Sequence, residues 1–270
     1  MLRLPVVAGS FYPSNPAELS SLILQFTKRD NPAALRAKVQ ACLVPHAGYI
    51  YSGHVTGNVL ADIHIPKKII ILGVRHRPPG AQVAIISSGA WRTPLGDAAI
   101  DEDLSSRLLS ACPVMREDSV AHSNEHSLEV QVPFLQIIEP KFRFAPIALG
   151  TAHFETLLRV GEAIGKVLAA EKENVLLLTT SDLNHYEDDA TTRVKDHKAI
   201  EQLLQMDAAA LFDVCRKEDI SMCGLGPAVA MLRALKTVGV TRSQLIRYAT
   251  SSEISGDPQT AVGYAGMTFS

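Results

Sequence analysis

Two histidines of this sequence follow apolar, strand-like runs, a position from which side chains often take part in chemistry. His46 follows the run at residues 41–45, and His76 comes shortly after the run at 68–73. A neutral imidazole binds metals and accepts protons. Because the loops after parallel strands meet at one edge of a sheet, these histidines are candidates for a shared site.

Asp182 and His185 follow a third apolar run, at residues 175–179. They are three positions apart, close enough to act as a base and its orienting carboxylate or as additional metal ligands. A turn in which Asp182 caps a helix is the alternative. Three strand ends that each carry histidine or carboxylate favour a functional site.

His76 lies between Arg75 and Arg77. Adjacent positive charge disfavours an imidazolium, so we expect a neutral His76 that is able to bind a metal. The two arginines are also candidates for binding an anionic substrate. An exposed basic turn is the alternative interpretation of the same residues.

Glu125 and Glu129 are four residues apart in the sequence E-H-S-L-E. Helical spacing predicts that they share one face, either as an acid/base pair or as hydrogen-bond partners of metal-binding histidines. A capping arrangement at the start of a helix explains the same residues equally well.

Cys223 precedes a Gly-rich turn and Pro227, a residue typical of the first turn of a helix. A thiol at a helix N-terminus favours the thiolate, which suits a soft metal ligand or a nucleophile. A small residue in a tight turn is the alternative. The other cysteines, Cys42, Cys112 and Cys215, have no C-x-x-C spacing, so we expect buried thiols rather than a zinc knuckle or disulfides.

Strand-like and helix-like segments alternate along the chain. Strands are predicted at residues 41–45, 68–73, 81–87, 142–149, 175–179, 244–250 and 261–268, and helices at 16–26, 52–63, 101–111, 127–138 (kinked at Pro133), 154–170, 191–205, 208–216 and 227–238. This order predicts a single α/β domain over residues 1–270. Its mixed, largely parallel sheet is expected to carry helices on both faces.

The composition excludes several classes of protein. Of 270 residues, 47% are hydrophobic and 20% charged, and the formal net charge is −2. Lys and Arg are scattered rather than grouped, so we expect no nucleic-acid partner. The apolar runs are too short to span a bilayer, and Pro5 interrupts the N-terminal run before a signal segment forms. We therefore expect a cytoplasmic protein with no membrane partner.

Short motifs recur along nearly the whole chain. They are A-G-S-F-Y-P at residues 8–13, P-H-A-G-Y-I-Y-S-G at 45–53, L-G-x-x-H at 72–76, E-H-S-L-E at 125–129, T-S-D-L-N-H-Y at 180–186, C-G at 223–224 and V-G-Y-A-G at 262–266. In this order they resemble the MEMO family, also described as the B protein of the AmmeMemoRadiSam set. Any one motif is weak, whereas the combination is specific.

The resemblance implies a fold like that of the class III extradiol (LigB-like) dioxygenases. It also implies that His46, His76 and Cys223 bind a metal, with Asp182 and His185 as additional pocket residues. Imidazoles with a thiolate suit Fe(II) or copper better than magnesium or calcium, and zinc is less expected. The name of the set implies AMMECR1-like and radical SAM proteins as partners.

The sequence departs from the family's pattern before His76, where Val74 and Arg75 replace the more usual Pro-Ser or Pro-Asn. The bulky Arg75 is expected to fill part of the pocket or to select an acidic ligand. Cys223 stands where the dioxygenases carry a carboxylate, so ordinary ring cleavage is not expected. A thiolate is more oxidisable and tunes the potential of the metal differently.

Three functions stay open at this point. The leading hypothesis is a metal-dependent redox enzyme in which His185 is the acid or base, assisted by Asp182, while Glu125 supports a metal-binding histidine. The second is a binding module without turnover that holds a peptide or a phosphate-bearing ligand on Arg75 and Arg77. The third is a hydrolase that uses zinc and water. Whether the chain is an enzyme, and which small molecule or peptide it takes, the sequence does not decide.

Overall fold

A computed structural model describes residues 1–29, 31 and 35–270, and the strands of this part of the chain form two sheets. The strands are β1 (Leu2–Arg3), β2 (Ala41–Val44), β3 (Lys68–Val74), β4 (Val83–Ile85), β5 (Ala90–Thr93), β6 (Gly96–Ala99), β7 (Arg116–Glu117), β8 (Arg143–Leu149), β9 (Val175–Thr180), β10 (His185–Glu187), β11 (Ser243–Thr250) and β12 (Ala261–Phe269).

The larger sheet has the order β10-β12-β2-β9-β3-β8-β4-β7, and β11 also pairs with β12. The four central strands, β2, β9, β3 and β8, run parallel. Antiparallel pairs extend the sheet on either side, with β12 beside β2 and β4 beside β8. The predicted mixed sheet is confirmed, and its parallel part is the centre. A second, smaller sheet contains β1, β5 and β6.

Helices separate most of the strands. They are α1 (Pro16–Phe26), α2 (Tyr49–Asp62), α3 (Glu102–Ala111), α4 (Val120–Ser123), α5 (Val132–Ile138), α6 (Phe154–Ala170), α7 (Asp189–Leu204), α8 (Ala208–Lys217), α9 (Leu225–Val238) and α10 (Ser252–Ser255). Aspartate side chains accept N–H bonds in the first turn of three of them, Asp101 for α3, Asp188 for α7 and Asp207 for α8. Such caps satisfy donors that a helix leaves unpaired and so fix where these helices begin.

Both faces of the larger sheet are covered, as predicted. In β3, Ile70 and Leu72 pack in the same cluster as apolar residues of α6 and α9. Ile69 and Ile71 point to the opposite face and share a cluster with residues of α1, α2 and α5. Because a strand alternates its side chains and both faces are buried, the strand is apolar throughout.

The segment predicted as one helix at residues 127–138 differs in the structure. A 3₁₀ turn at Glu129–Gln131 precedes α5, and Pro133 lies in the first turn of α5 rather than at a kink. Proline is tolerated there because the first N–H groups of a helix have no partner within it. The strands of two to four residues at β1, β5, β6, β7 and β10 were not predicted, because so few residues show no alternation of apolar and polar side chains.

Parallel pairing brings the carboxyl ends of β2, β9 and β3 to one edge of the sheet. His46, Asp182 and His76 follow these three strands. The start of α9 brings Cys223 to the same edge. No helix in the described part of the chain is both long and apolar enough to cross a membrane.

Candidate metal centre

His46 is enclosed at the end of β2, with a side chain that is 1% exposed. Its backbone N–H donates to Asp182 Oδ1 at 2.8 Å, and its Nδ1 lies 2.9 Å from Thr180 Oγ1. The other ring nitrogen, Nε2, lies 3.1 Å from Cys223 Sγ. Burial, with a smaller contribution from the nearby His76, lowers the pKa of His46 to about 3. The ring is therefore neutral near pH 7 and keeps a lone pair for a metal.

His76 is held at two points by Glu125. The backbone N–H of His76 donates to Glu125 Oε2 at 2.6 Å, and its Nδ1 lies 2.9 Å from Oε1. A carboxylate accepts hydrogen bonds, so Nδ1 carries the proton and Nε2 keeps its lone pair. Burial acts to raise the pKa of Glu125, but the hydrogen bonds from His76 and Ser127 outweigh it and lower the pKa to about 2. This carboxylate–histidine pair fixes the tautomer that a metal ligand needs.

Cys223 lies two residues before α9, and its sulfur approaches both His46 and Asp182. The backbone N–H of Asp182 lies 3.3 Å from Cys223 Sγ. The sequence predicted that the helix N-terminus would favour the thiolate, but the burial of the sulfur acts against this. Burial raises the pKa of the Cys223 thiol, and the nearby carboxylate of Asp182 raises it further. A thiolate here therefore needs a cation close to the sulfur.

Asp182 is 5% exposed and turns towards His46. Its Oδ2 lies 4.0 Å from His46 Nε2. Burial raises the pKa of this carboxyl, although the N–H of His46 opposes the change. Asp182 thus accepts a hydrogen bond from the backbone of His46 and places a carboxyl group close to the thiol of Cys223.

His185 begins β10 and is oriented by Ser221. Its backbone N–H donates to Ser221 Oγ at 2.8 Å, and its Nδ1 lies 3.0 Å from the carbonyl oxygen of Ser221. That carbonyl only accepts, so Nδ1 carries a proton, and in the neutral ring Nε2 is the acceptor. The sequence proposed Asp182 as the orienting group; the structure gives that position to Ser221. Donor atoms of Asp182 and His185 nevertheless lie within 4.8 Å of each other.

Glu129 does not join Glu125, because residues 124–128 are not helical. Glu129 is instead buried against Arg3, whose Nη1 donates to Oε2 at 2.7 Å. The hydroxyl of Tyr12 donates to Oε1 at 2.6 Å. The expected acid/base pair of Glu125 and Glu129 is therefore not formed, and Glu129 is a structural carboxylate.

His126 is a residue of the site that the sequence analysis did not assign. Its ring stacks on His76 with centroids 4.6 Å apart and contacts Phe11 at 4.8 Å. Burial and the neighbouring His46 lower the pKa of His126 to about 4. His126 is part of the motif E-H-S-L-E, but the four-residue spacing in that motif concerns Glu125 and Glu129 and does not indicate a role for the histidine. Phe11 and Tyr264, each inside a recognised motif, also line the site.

These residues line an open cavity of about 570 Å³. Its lining includes the four histidines, Asp182 and Cys223, together with Phe11, Tyr186, Val262 and Tyr264. Neither Arg75 nor Arg77 is among the residues that line it. Among the described residues, the lining therefore includes no arginine to anchor a phosphate, and Arg75 does not fill the cavity as the sequence suggested.

The donor atoms fit a metal of the late first transition row. The nitrogens of His46 and His76 and the sulfur of Cys223 lie within 4.8 Å of one another. Two further groups meet the same limit, His76 with Glu125 and His126, and Asp182 with His185 and Cys223. Imidazole and thiolate together suit iron, copper or zinc, whereas magnesium and calcium prefer oxygen ligands. The three remaining cysteines, Cys42, Cys112 and Cys215, are free and buried, as expected.

Comparison with known proteins agrees with these motifs. The family model described as "Memo-like protein" matches residues 3–268. A MEMO1 family protein of Methanopyrus kandleri is 39% identical over 284 residues, covering 100% of this chain and 99% of the relative. A MEMO1 family protein of Methanocaldococcus jannaschii is 38% identical over 280 residues, covering 98% and 97%.

The fold of this chain is also similar to that of an uncharacterized protein of Escherichia coli K12, whose crystal structure is known. The TM-score is 0.52 with 11% sequence identity, covering 83% of this chain and 99% of that one. At this identity the likeness concerns the fold alone. The family model and the curated relatives carry the assignment, and they show that this chain belongs to the MEMO family.

Proposed function

We propose that this protein binds Fe(II) or copper through His46, His76 and Cys223 and uses the metal in a redox reaction. The observation that carries the proposal is the meeting of these three donor atoms within 4.8 Å, although they come from three separate parts of the chain. A thiolate in the ligand set favours a redox-active metal because sulfur donors tune its potential.

The metal, when bound, would supply Lewis acidity and electron transfer. The chain supplies the rest of the chemistry. Glu125 keeps the Nε2 lone pair of His76 directed away from the carboxylate, and Asp182 holds the backbone of His46. His185 faces the cavity with Nε2 as an acceptor, so it is placed to take a proton from a bound ligand.

Metal analysis of protein purified without added metal tests the proposal. We expect close to one equivalent of iron or copper in the unaltered protein and a loss of it in His46→Ala and in Cys223→Ser. The matched controls are His64→Ala, at an exposed histidine, and Cys215→Ala, at a buried thiol that does not line the cavity. Both controls should retain the metal.

Two results would contradict the proposal. Full metal retention in both site variants would show that the ion binds elsewhere. Zinc as the bound metal, together with oxygen-insensitive hydrolysis of ester or amide substrates, would replace the redox assignment with the zinc hydrolase considered from the sequence.

A further inference from the structure

A second cavity, of about 260 Å³, lies at the start of α9. Cys223 lines both this cavity and the larger one described above. The remaining walls come from the ends of β3 and β8, from α6 and α8, and from the start of α9. The metal site does not use this space, so its chemistry has to be explained separately.

Arg75 is the one charged side chain among the described residues that line the second cavity. Its Nε is enclosed and has no hydrogen-bond partner within the described part of the chain. A guanidinium keeps its charge at every accessible pH, and an enclosed donor without a partner is costly. Arg75 therefore brings a fixed positive charge to the wall of the cavity, which an anion bound there would balance.

Gly150, directly after β8, makes room for this guanidinium. A Cβ atom at Gly150 would overlap Nε, Cζ and Nη2 of Arg75. The position of the arginine thus depends on the absence of a side chain at residue 150. In addition, α9 begins at this cavity with Gly224 as its N-cap and without a side-chain cap. The partial positive charge of that helix end adds to the charge of Arg75.

Apolar side chains form most of the other walls. They include Leu149, Leu157, Phe212, Met222 and Leu225. A phosphate ion would bring negatively charged oxygens against these groups, which cannot hydrogen-bond with them. An anionic head with an apolar tail matches both parts of the cavity.

We propose that the second cavity binds a small monocarboxylate, with the carboxylate on Arg75 and an apolar tail against Phe212 and Met222. The proposal rests on Arg75 and the apolar walls, so it stands whether or not the proposed function is correct. It would place an organic acid near Cys223, the residue that also lines the first cavity.

The test is a titration followed by NMR of protein carrying ¹³C-labelled methionine methyl groups. Met222 lines the cavity and is 5% exposed, so its methyl signal reports on this site in the unaltered protein. The probes are acetate, propionate, butyrate and inorganic phosphate. We expect a saturable shift of the Met222 signal, with affinity rising about fourfold for each added CH₂.

Arg75→Met should weaken butyrate binding on the order of 10- to 100-fold, the usual effect of losing a charge-assisted hydrogen bond. The matched control is Arg77→Met, which removes an arginine that does not line this cavity and should leave the affinity unchanged. Thermal melting of each variant shows whether it is folded.

Equal butyrate affinity in Arg75→Met, or no saturable shift of Met222 in the unaltered protein, would overturn the proposal. Phosphate binding more tightly than butyrate would overturn the assignment to a monocarboxylate. Because the unaltered protein alone can give a negative result, a variant that fails to fold does not leave the proposal untested.

Discussion

At the scale of single residues, the site contains histidines whose ring orientation is set by hydrogen bonds. His76 donates from Nδ1 to Glu125, and His185 donates from Nδ1 to the Ser221 carbonyl. In each ring Nε2 keeps its lone pair. The same arrangement thus suits His76 as a metal ligand and His185 as a proton acceptor. In both residues the partner of Nδ1 sets the orientation of the ring.

Replacing Glu125 tests this arrangement without removing a proposed ligand. Glu125→Gln should weaken metal binding on the order of 10- to 100-fold, because His76 loses the carboxylate that orients its ring. The measurement is a competition titration against a chelator of known affinity. Glu155→Gln, at an exposed carboxylate in the first turn of α6, is the control. Unchanged affinity in Glu125→Gln would show that His76 does not depend on Glu125.

Glu129 has a structural role that can be measured separately. It is 1% exposed and pairs with Arg3, which is 5% exposed. Glu129→Ala would leave that arginine buried without a counter-charge, so we expect a loss of about 3–5 kcal/mol in the free energy of unfolding. Urea denaturation gives this value. A loss below about 1 kcal/mol would mean that water reaches Arg3 in the variant.

At the scale of elements, α6 and α9 form the layer that fixes the position of Cys223. Gly161 of α6 lies so close to α9 that a Cβ there would overlap the carbonyl of Ala230 and the side chain of Arg233. Gly165 lies one turn further and is equally close to Thr237. These glycines allow the two helices to approach, and the start of α9 then places the thiol at the sheet edge.

A side chain at Gly161 should push these helices apart. We expect Gly161→Val to lower the free energy of unfolding by about 1–3 kcal/mol, the usual cost of overpacking. Lys166→Val places the same side chain on the exposed face of α6 and measures the cost of a β-branched residue in this helix where nothing is overpacked. Both values come from urea denaturation. A Gly161→Val loss no larger than that of the control would show that the contact between the helices is loose.

At the scale of the whole molecule, buried histidines link stability to pH. Burial is the largest cause of a low pKa in three histidines. The pKa of His46 is lowered to about 3, and the pKa values of His122 and His126 are lowered to about 4, from an ordinary value of 6.5. Below pH 6.5 the unfolded chain binds protons that the folded chain does not. The stability that these groups contribute is therefore complete above about pH 6.5 and falls as the pH drops towards 4.

His122→Leu tests this linkage at a histidine that is fully buried and does not line the cavity. The variant should reduce the slope of unfolding free energy against pH by up to about 1.4 kcal/mol per unit between about pH 6 and 4. Urea denaturation in the presence of a chelator excludes metal effects. His64→Leu, at an exposed histidine, is the control. An unchanged slope in His122→Leu would contradict the low pKa.

Much of the fold was readable because hydrophobic periodicity is a local property. The predicted limits of α1 and α6 equal the observed ones, Pro16–Phe26 and Phe154–Ala170. The apolar runs at β2, β3 and β9 were also found, since strands buried on both faces have no alternation to interpret wrongly. The short strands were not predicted because pairing with neighbouring strands, rather than the pattern of their own residues, makes them strands.

The sequence by itself determined the family and the histidines that follow the central strands. Their places depend on local runs and on the rule that parallel strands end at one edge. Only the tertiary structure decided which partner each polar side chain has. Glu125 binds His76 while Glu129 binds Arg3, and Ser221 rather than Asp182 orients His185. Hydrogen bonds of this kind join residues far apart in the chain, so no local pattern specifies them.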